Sequence, residues 1–450
     1  MKNKKIKKLI TKPHLFMLDA IKNLSKPKIQ EDEEDNLIFA WKINDWKREY
    51  IDNIFHQNKV YYFPFKLTEK GFDKKYKEHI LKNKNSKILI WGLEYPEYLK
   101  KFIERYKIET IFMEDGFIRS VGLGSTHELP YSVVMDKKTL YFDSREESQL
   151  EYILKNYNFN EDSQLMNRAM NLKKKLLNSG ISKYNNTSSV DIEAIYGKKT
   201  KKRILVIGQV EDDASIKFGC DKKITNNELV YRAYLENPEA QIIYKPHPDV
   251  LIGKRKMLSD PKEVEHISLV LKDDFPISQA FDTIDHVYTI TSLSGFEALL
   301  RNIKVTTLGM PFYSGWGLTD DRQLNTRRNR KLDIDELFAG AYILYPTYFD
   351  PVLKEELTAE EAIDRLILLK QANLNNSSYL EDGNDEDIIV RYLDNIKMDI
   401  QCLYNNISYN NRYDDITSVK LRNGRIEELK ISFDDDTYST ELNISEKIQI

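Results

Sequence analysis

Cysteine is almost missing from this 450-residue sequence: Cys220 and Cys402 are the two, far apart and without metal-ligand spacing. That excludes a disulfide scaffold or a zinc finger and fits a reducing compartment. No stretch approaches the roughly 20 apolar residues that span a bilayer. The first residues also lack the uninterrupted apolar segment of a secretory signal, so a cytoplasmic protein is expected. Charge of one sign is wanting too. With 68 Lys and Arg against 71 Asp and Glu, the formal net charge is −3, and no overall field favours nucleic acid as a partner. Neither a Gly-rich dinucleotide fingerprint nor a Walker loop occurs. Nothing in the sequence asks for a metal, and no cofactor is expected.

What is present is enough apolar residue, 41% of the chain, to build a full-sized core divided among two or three domains. Residues 1–36 begin with Lys2, Lys4, Lys5, Lys7, Lys8 and Lys12 set among Ile6, Leu9, Ile10, Leu15, Phe16 and Met17, then run into the acidic stretch Glu31 to Asp35. A basic amphipathic arm of this kind suits an anionic inner-membrane surface, making the protein peripheral there; a solvated Lys-rich tail explains the same residues. The acidic run reads as a linker.

Beyond it, short β-branched runs alternate with helix-length amphipathic stretches, the βα pattern of a parallel sheet. The runs are 87–91, 110–114, 203–209, 241–245, 286–290 and 304–308. A polar stretch at 178–202 separates the first two from the last four. Two α/β domains follow, 37–190 and 200–373. The remainder, 374–450, is an appendage with a hairpin turning at Asn423-Gly424.

Ligands of parallel sheets bind beyond the carboxyl ends of the strands, and the unusual residues fall there. Glu114-Asp115-Gly116-Phe117-Ile118-Arg119-Ser120, with Gly122 and Gly124, offers carboxylates for acid–base work or a capped tight turn. Gln209-Val210-Glu211-Asp212-Asp213 crowds three carboxylates, for chemistry or for capping a helix. In Lys245-Pro246-His247-Pro248, two prolines frame a histidine beside a cation, a pair suited to phosphate. Thr291-Ser292-Leu293-Ser294-Gly295-Phe296-Glu297 opens an apolar helix, where backbone N–H groups attract anions; Ser294 with Glu297 also fits a capping box. The loop 309–320 interleaves aromatics with glycine, as a platform for a sugar or base or as a packed loop. Asp333 and Asp335 read as a helix start.

Together, EDGFIRSVGLG, GQVEDDASI, IIYKPHPDV, TSLSGFEALL and GMPFYSGWGLTDD, in this order, resemble the capsule-polysaccharide KpsC/LipB family of β-Kdo transferases. The resemblance covers about Ile88 to Pro351, with Trp91-Gly92, Asp136, Tyr141 and Tyr345-Pro346. KpsC-type members carry two such modules in tandem; the resemblance here covers one. It implies a GT-B-like fold, two Rossmann-like domains facing a central cleft, and transfer of Kdo from CMP-β-Kdo with retention to a lipid-linked glycan, in partnership with capsule export machinery. The 37–190 domain would take the acceptor and the 200–373 domain the CMP-sugar.

The resemblance further implies that Asp213 is the nucleophile, with Asp212 as alternate, and Glu114 the acid/base. His247, Lys245, Pro248, Gln209, Ser292, Ser294 and Gly295 would bind the donor, with Glu297 at the ribose and Arg119 at the sugar carboxylate. Two other functions fit the same residues: a transferase of this fold using another nucleotide sugar, and a non-catalytic partner holding lipid-linked glycan for assembly or export.

Overall fold

The computed structural model describes residues 36–120, 128–181, 190–273 and 275–374, and the strands 413–422, 425–433 and 441–442, for which, as for 371–374, side chains are not described. The basic arm, the acidic run, Gly122 and Gly124, and most of the appendage lie outside the described residues. The chain divides into two compact units, 1–113 and 114–450.

In the first unit, β1 (Leu37–Trp41), β2 (Lys59–Tyr62), β3 (Lys87–Trp91) and β4 (Glu109–Asp115, whose last two residues pass the division) pair in parallel, in the order β4-β3-β1-β2. The LIFAW sequence of β1 is buried throughout, as a strand covered on both faces requires. The helix Glu97–Tyr106 buries Leu99 and Phe102, and Phe39, Phe63, Phe72 and Tyr76 pack ring on ring beside β1.

The second unit contains β5 (Ser132–Asp136), antiparallel to β12 (Pro346–Asp350), which is antiparallel to β13 (Glu355–Leu357). It also contains a six-stranded, wholly parallel sheet: β6 (Arg203–Ile207), β7 (Gln241–Lys245), β8 (Leu269–Val270), β9 (His286–Thr289), β10 (Lys304–Thr307) and β11 (Asp320–Asp321). Their order is β11-β10-β9-β6-β7-β8. Ile204 and Val206 of β6, Ile242 and Tyr244 of β7 and Tyr288 of β9 meet Leu229, Val230 and Ala233 of the helix Asn226–Glu236 in one buried cluster. All six runs read from the sequence are strands. The run 203–209 ends two residues early, at Ile207. Asp333 caps the helix Ile334–Phe338 through a capping box with Glu336, as a helix start should. Beyond these, β14 (Tyr413–Arg422) and β15 (Arg425–Phe433) form the expected hairpin, its two turn residues outside the described set, and β16 (Glu441–Leu442) pairs with β15.

Candidate active site

The chain enters the six-stranded sheet at β6, in its middle, adds β7 and β8 on one side, then returns to add β9, β10 and β11 on the other. The gap between the ends of β6 and β9 is therefore the topological switch point, where open α/β sheets take ligands. Register levels the ends. Ile207 lies opposite Lys245 and Thr289, and Thr289 opposite Thr307. With strands ~5 Å apart, the loops carrying His247, Gln209, Ser292 and Gly309 leave one edge side by side. Gly208 keeps β6 and β7 together past their ends: its N–H donates to the Lys245 carbonyl at 2.8 Å, and a Cβ there would stand 3.0 Å from Pro246 Cα.

Gln209, buried, spans the switch point. Its Nε2 donates to Thr291 Oγ1 at 3.1 Å, and its Oε1 accepts from Thr291 N at 2.7 Å. Its own peptide is gripped from the other side by Asn226. Asn226 Oδ1 accepts from Gln209 N at 2.9 Å and Asn226 Nδ2 donates to Gln209 O at 2.8 Å. Thr291 Oγ1 passes on to Ser215 Oγ at 3.4 Å, and Ser215 donates through Oγ and N to Asp213 Oδ1, both at 2.9 Å. A continuous chain of bonds thus runs Asn226, Gln209, Thr291, Ser215, Asp213.

The three crowded carboxylates separate by partner. Glu211 is buried, its Oε1 accepting from Asn226 N and Ser259 Oγ, each at 2.6 Å. Asp212 is exposed and pairs with Arg255 at 2.7 Å. Asp213, half-buried, caps the helix Ala214–Gly219 through Oδ1.

His247 caps the helix Pro248–Leu251, its Nδ1 accepting from Asp249 N at 3.1 Å. With Nδ1 an acceptor, the neutral ring carries its proton on Nε2, and Pro248 at the first helical position fixes the backbone behind it. Lys245 is buried, its Nζ 4.6 Å from the centre of the Phe275 ring.

Ser292 caps the helix Leu293–Leu299, its Oγ accepting from Ser294 N at 3.2 Å. That corrects the capping-box reading of Ser294 with Glu297: the cap lies two residues earlier, Ser294 is inside the first turn, and Glu297 is buried in the helix. Gly295 is needed where it stands, since a Cβ would overlap the Tyr313 hydroxyl, which donates to the Ser292 carbonyl.

The first motif forms a second cluster. Glu114 Oε1 accepts from Asp115 N at 3.1 Å. Arg119 is 1% exposed, donating to Asp115 Oδ2 at 2.7 Å, Ser120 Oγ at 2.7 Å and the Glu128 carbonyl at 2.6 Å, so as placed its guanidinium ties this loop together. Phe117 joins the cluster to the later motifs. Its ring centre lies 4.6 Å from Phe312 and 5.6 Å from Tyr342, and Phe312 lies 5.2 Å from Phe296. The aromatics of 309–320 accordingly face inward: Tyr313 and Trp316 are wholly buried, a packed loop and not a platform. Arg328, buried, holds this loop by donating to the Pro311 and Ser314 carbonyls and to Glu151 Oε2.

Asn226 escaped the sequence reading, since its segment, TNNELV, looks like an ordinary helix start. The one signal was a pair of asparagines, weak helix formers, inside a helix already capped by Thr225. Among the described residues, no group of three or more His, Cys, Asp or Glu could hold a metal ion. No helix among them is long and apolar enough to cross a membrane.

A buried amide–hydroxyl chain ending on a carboxylate, beside a histidine of fixed tautomer at a sheet's switch point, can position a nucleophile and take a phosphate-bearing ligand. Comparison with known proteins agrees in class. The lipopolysaccharide-processing protein LpsZ of Rhizobium meliloti is 42% identical over 338 residues, 75% of this chain and 76% of that protein. The capsule polysaccharide modification protein LipA of Neisseria meningitidis serogroup B is 44% identical over 293 residues, 65% of this chain but 41% of LipA, so the chain spans less than half of that relative.

Two solved structures of Thermosulfurimonas dismutans KpsC match. The beta Kdo 2,4 transferase has a TM-score of 0.61 at 30% identity, over 74% of this chain and 98% of that one. The beta Kdo 2,7 transferase has a TM-score of 0.57 at 32% identity, over 75% and 100%. The fold is α/β of the GT-B-like kind. The capsule polysaccharide biosynthesis protein family matches residues 86–348, a span that takes in every site motif described above, and the chain belongs to that family, with KpsC among its relatives.

Proposed function

We propose that the chain is a retaining β-Kdo transferase of capsular or surface polysaccharide biosynthesis, using CMP-β-Kdo as donor and a lipid-linked glycan as acceptor. The observation that carries this reading is the bond chain from Asn226 through Gln209 and Thr291 to Asp213 at the switch point. The Kdo-transferase relatives support the donor class, and Asp213 supplies the nucleophile that retention by double displacement requires.

The steps balance as follows. The Asp213 carboxylate attacks the anomeric carbon as the bond to the CMP phosphate breaks, and CMP leaves with the electron pair. Both Ser215 bonds fall on Oδ1, which makes Oδ2 the attacking oxygen. Glu114 then takes the proton of the acceptor hydroxyl, whose oxygen displaces Asp213 from the anomeric carbon, restoring the β configuration. Departing CMP needs no strong acid. His247 Nε2–H and the hydroxyl groups of Ser292 and Ser294, at the helix start that Gly295 lets close on Tyr313, stabilise its phosphate, with Lys245 supplying positive charge behind them. In this scheme Arg119 keeps the Glu114 loop in place, and Asp212 is held by Arg255 at the exposed side.

The test is incubation of the purified chain with CMP-β-Kdo, generated in situ, and a Kdo-terminated glycolipid, read by mass spectrometry. A gain of one Kdo, lost in Asp213→Ala by on the order of 10⁴-fold or more, is expected. Transfer that survives Asp213→Ala sinks the nucleophile assignment. Failure of CMP to protect the chain against thermal unfolding would sink the donor.

A further inference from the structure

From the last turn of the helix that His247 caps, the segment 250–258 reads Val-Leu-Ile-Gly-Lys-Arg-Lys-Met-Leu, with three cations and no acid. Apolar side chains normally fold inward, yet here Ile252 is 55% exposed, Met257 45% and Leu258 42%. Lys254, Arg255 and Lys256 are exposed between them. Gly253, at a φ of 71°, turns the chain at the tip, where an added Cβ would meet nothing within 4 Å. The loop stands out from the body, showing apolar tips and ammonium groups together.

It is tied down through Arg255 in its middle and Ser259 just past its end. Arg255 N donates to the Asp249 carbonyl at 2.9 Å, and the Arg255 side chain pairs with Asp212 at 2.7 Å. Ser259 Oγ donates to Glu211 at 2.6 Å. The protruding residues are thus mounted on the two carboxylates that precede Asp213.

We propose that the loop 250–258 docks the protein on an anionic phospholipid surface. Ile252, Met257 and Leu258 would enter the boundary between headgroups and acyl chains, while Lys254 and Lys256 meet headgroup phosphates. Interleaved apolar and cationic side chains on one short projection match that interface in both respects, since it alone offers anionic groups directly above hydrocarbon. A purely anionic protein patch would not cover the three apolar tips. Docking would set the phosphate-binding strand ends and the Glu211–Asp213 segment beside the lipid, where a lipid-linked acceptor is presented. The proposal rests on the loop itself and stands or falls without the donor reading.

The test places an environment-sensitive fluorophore on the loop of the full chain: Met257→Cys, with Cys220→Ala and Cys402→Ala, labelled with NBD, its fold checked by an unchanged melting temperature. Vesicles containing phosphatidylglycerol should blue-shift the emission, and pure phosphatidylcholine vesicles should not. Adding Lys254→Glu and Lys256→Glu should raise the lipid needed for half the shift by on the order of tenfold or more. A label at Leu235→Cys, 72% exposed at the far end of the helix Asn226–Glu236, should stay unshifted. Unchanged emission at position 257 with phosphatidylglycerol vesicles overturns the proposal, whatever residues 1–28 contribute to binding, and favours a protein partner for the loop. Equal shifts at 257 and 235 overturn it as well.

Discussion

Each edge of the six-stranded sheet carries a hydrogen-bond network rooted on a buried polar side chain, and the two differ in how the carboxylate each network reaches is partnered. At the edge where the strands begin, Arg203 is 1% exposed and its guanidinium donates to Gln241, Thr283 and the Gly197 carbonyl, while its N–H donates to Asp285. Gln241 continues to the Tyr196 carbonyl, and the Tyr196 hydroxyl to the Ala280 carbonyl. The carboxylate on this edge, Asp285, is itself partly exposed and is paired with Lys199 at 2.8 Å. At the edge where the strands end, the corresponding chain starts on Asn226 and finishes on a half-exposed carboxylate, Asp213. Burial of polar groups is common to both, so it does not mark a site. A network that ends on a carboxylate without an ion-pair partner among the described residues does.

The comparison is broken most severely at Arg203. Arg203→Met should cost about 3–5 kcal/mol of stability, because the buried guanidinium is lost and Gln241, Thr283 and the Gly197 carbonyl lose a charged donor at once. Urea unfolding measures it. Transfer activity per folded molecule should be unchanged, and an activity loss without a stability loss would mean the two edges are not distinct in kind.

Asn226→Ala attacks the other edge. It strips both bonds from the Gln209 peptide, costing about 1–3 kcal/mol, and it should also lower kcat on the order of 10- to 100-fold by loosening the chain that orients Asp213. Urea unfolding and steady-state kinetics should therefore move together. A variant that loses stability but keeps kcat would make this edge as purely structural as the first.

Much of this was legible beforehand, and for identifiable reasons. The six βα runs announced themselves because each combines β-branched residues with a flanking turn signal, and the motifs fell at strand ends. β1 was missed because its apolar LIFAW run directly follows the acidic stretch read as a linker. β5 and β12 were missed because they pair across two hundred residues of chain, a contact no local pattern encodes. The site divided likewise. Gln209, Asp213 and His247 stand in unusual local sequence, whereas Asn226 acts through a fold-made contact with a residue 17 positions earlier. The Ser292 cap was displaced from Ser294 because Gly295 must sit against Tyr313, which sets where the helix begins.

The smallest predicted effect sharpens the picture of the strand-start edge. His286 opens β9, its Nε2 2.9 Å from Thr306 Oγ1. Burial, then Lys202, with lesser pushes from Lys304 and Arg322 against the pull of Asp320, brings its pKa down to about 4 from the ordinary 6.5. A lowered folded value means that the unfolded chain binds more protons between those two pH values, so stability rises with pH across that window. On acidification, stability is lost from about pH 6.5 downward and the loss is complete near pH 4. The ring is only partly buried, so solvent screening limits the effect to about 1 kcal/mol. His286→Gln keeps a neutral hydrogen-bonding group beside Thr306 and removes the titration. The melting temperature of the variant should fall less between pH 7 and pH 4 than that of the native chain. Parallel curves would mean that His286 takes up its proton as readily in the folded state as in the unfolded one, and that this edge is wetter than the burial of Arg203 implies.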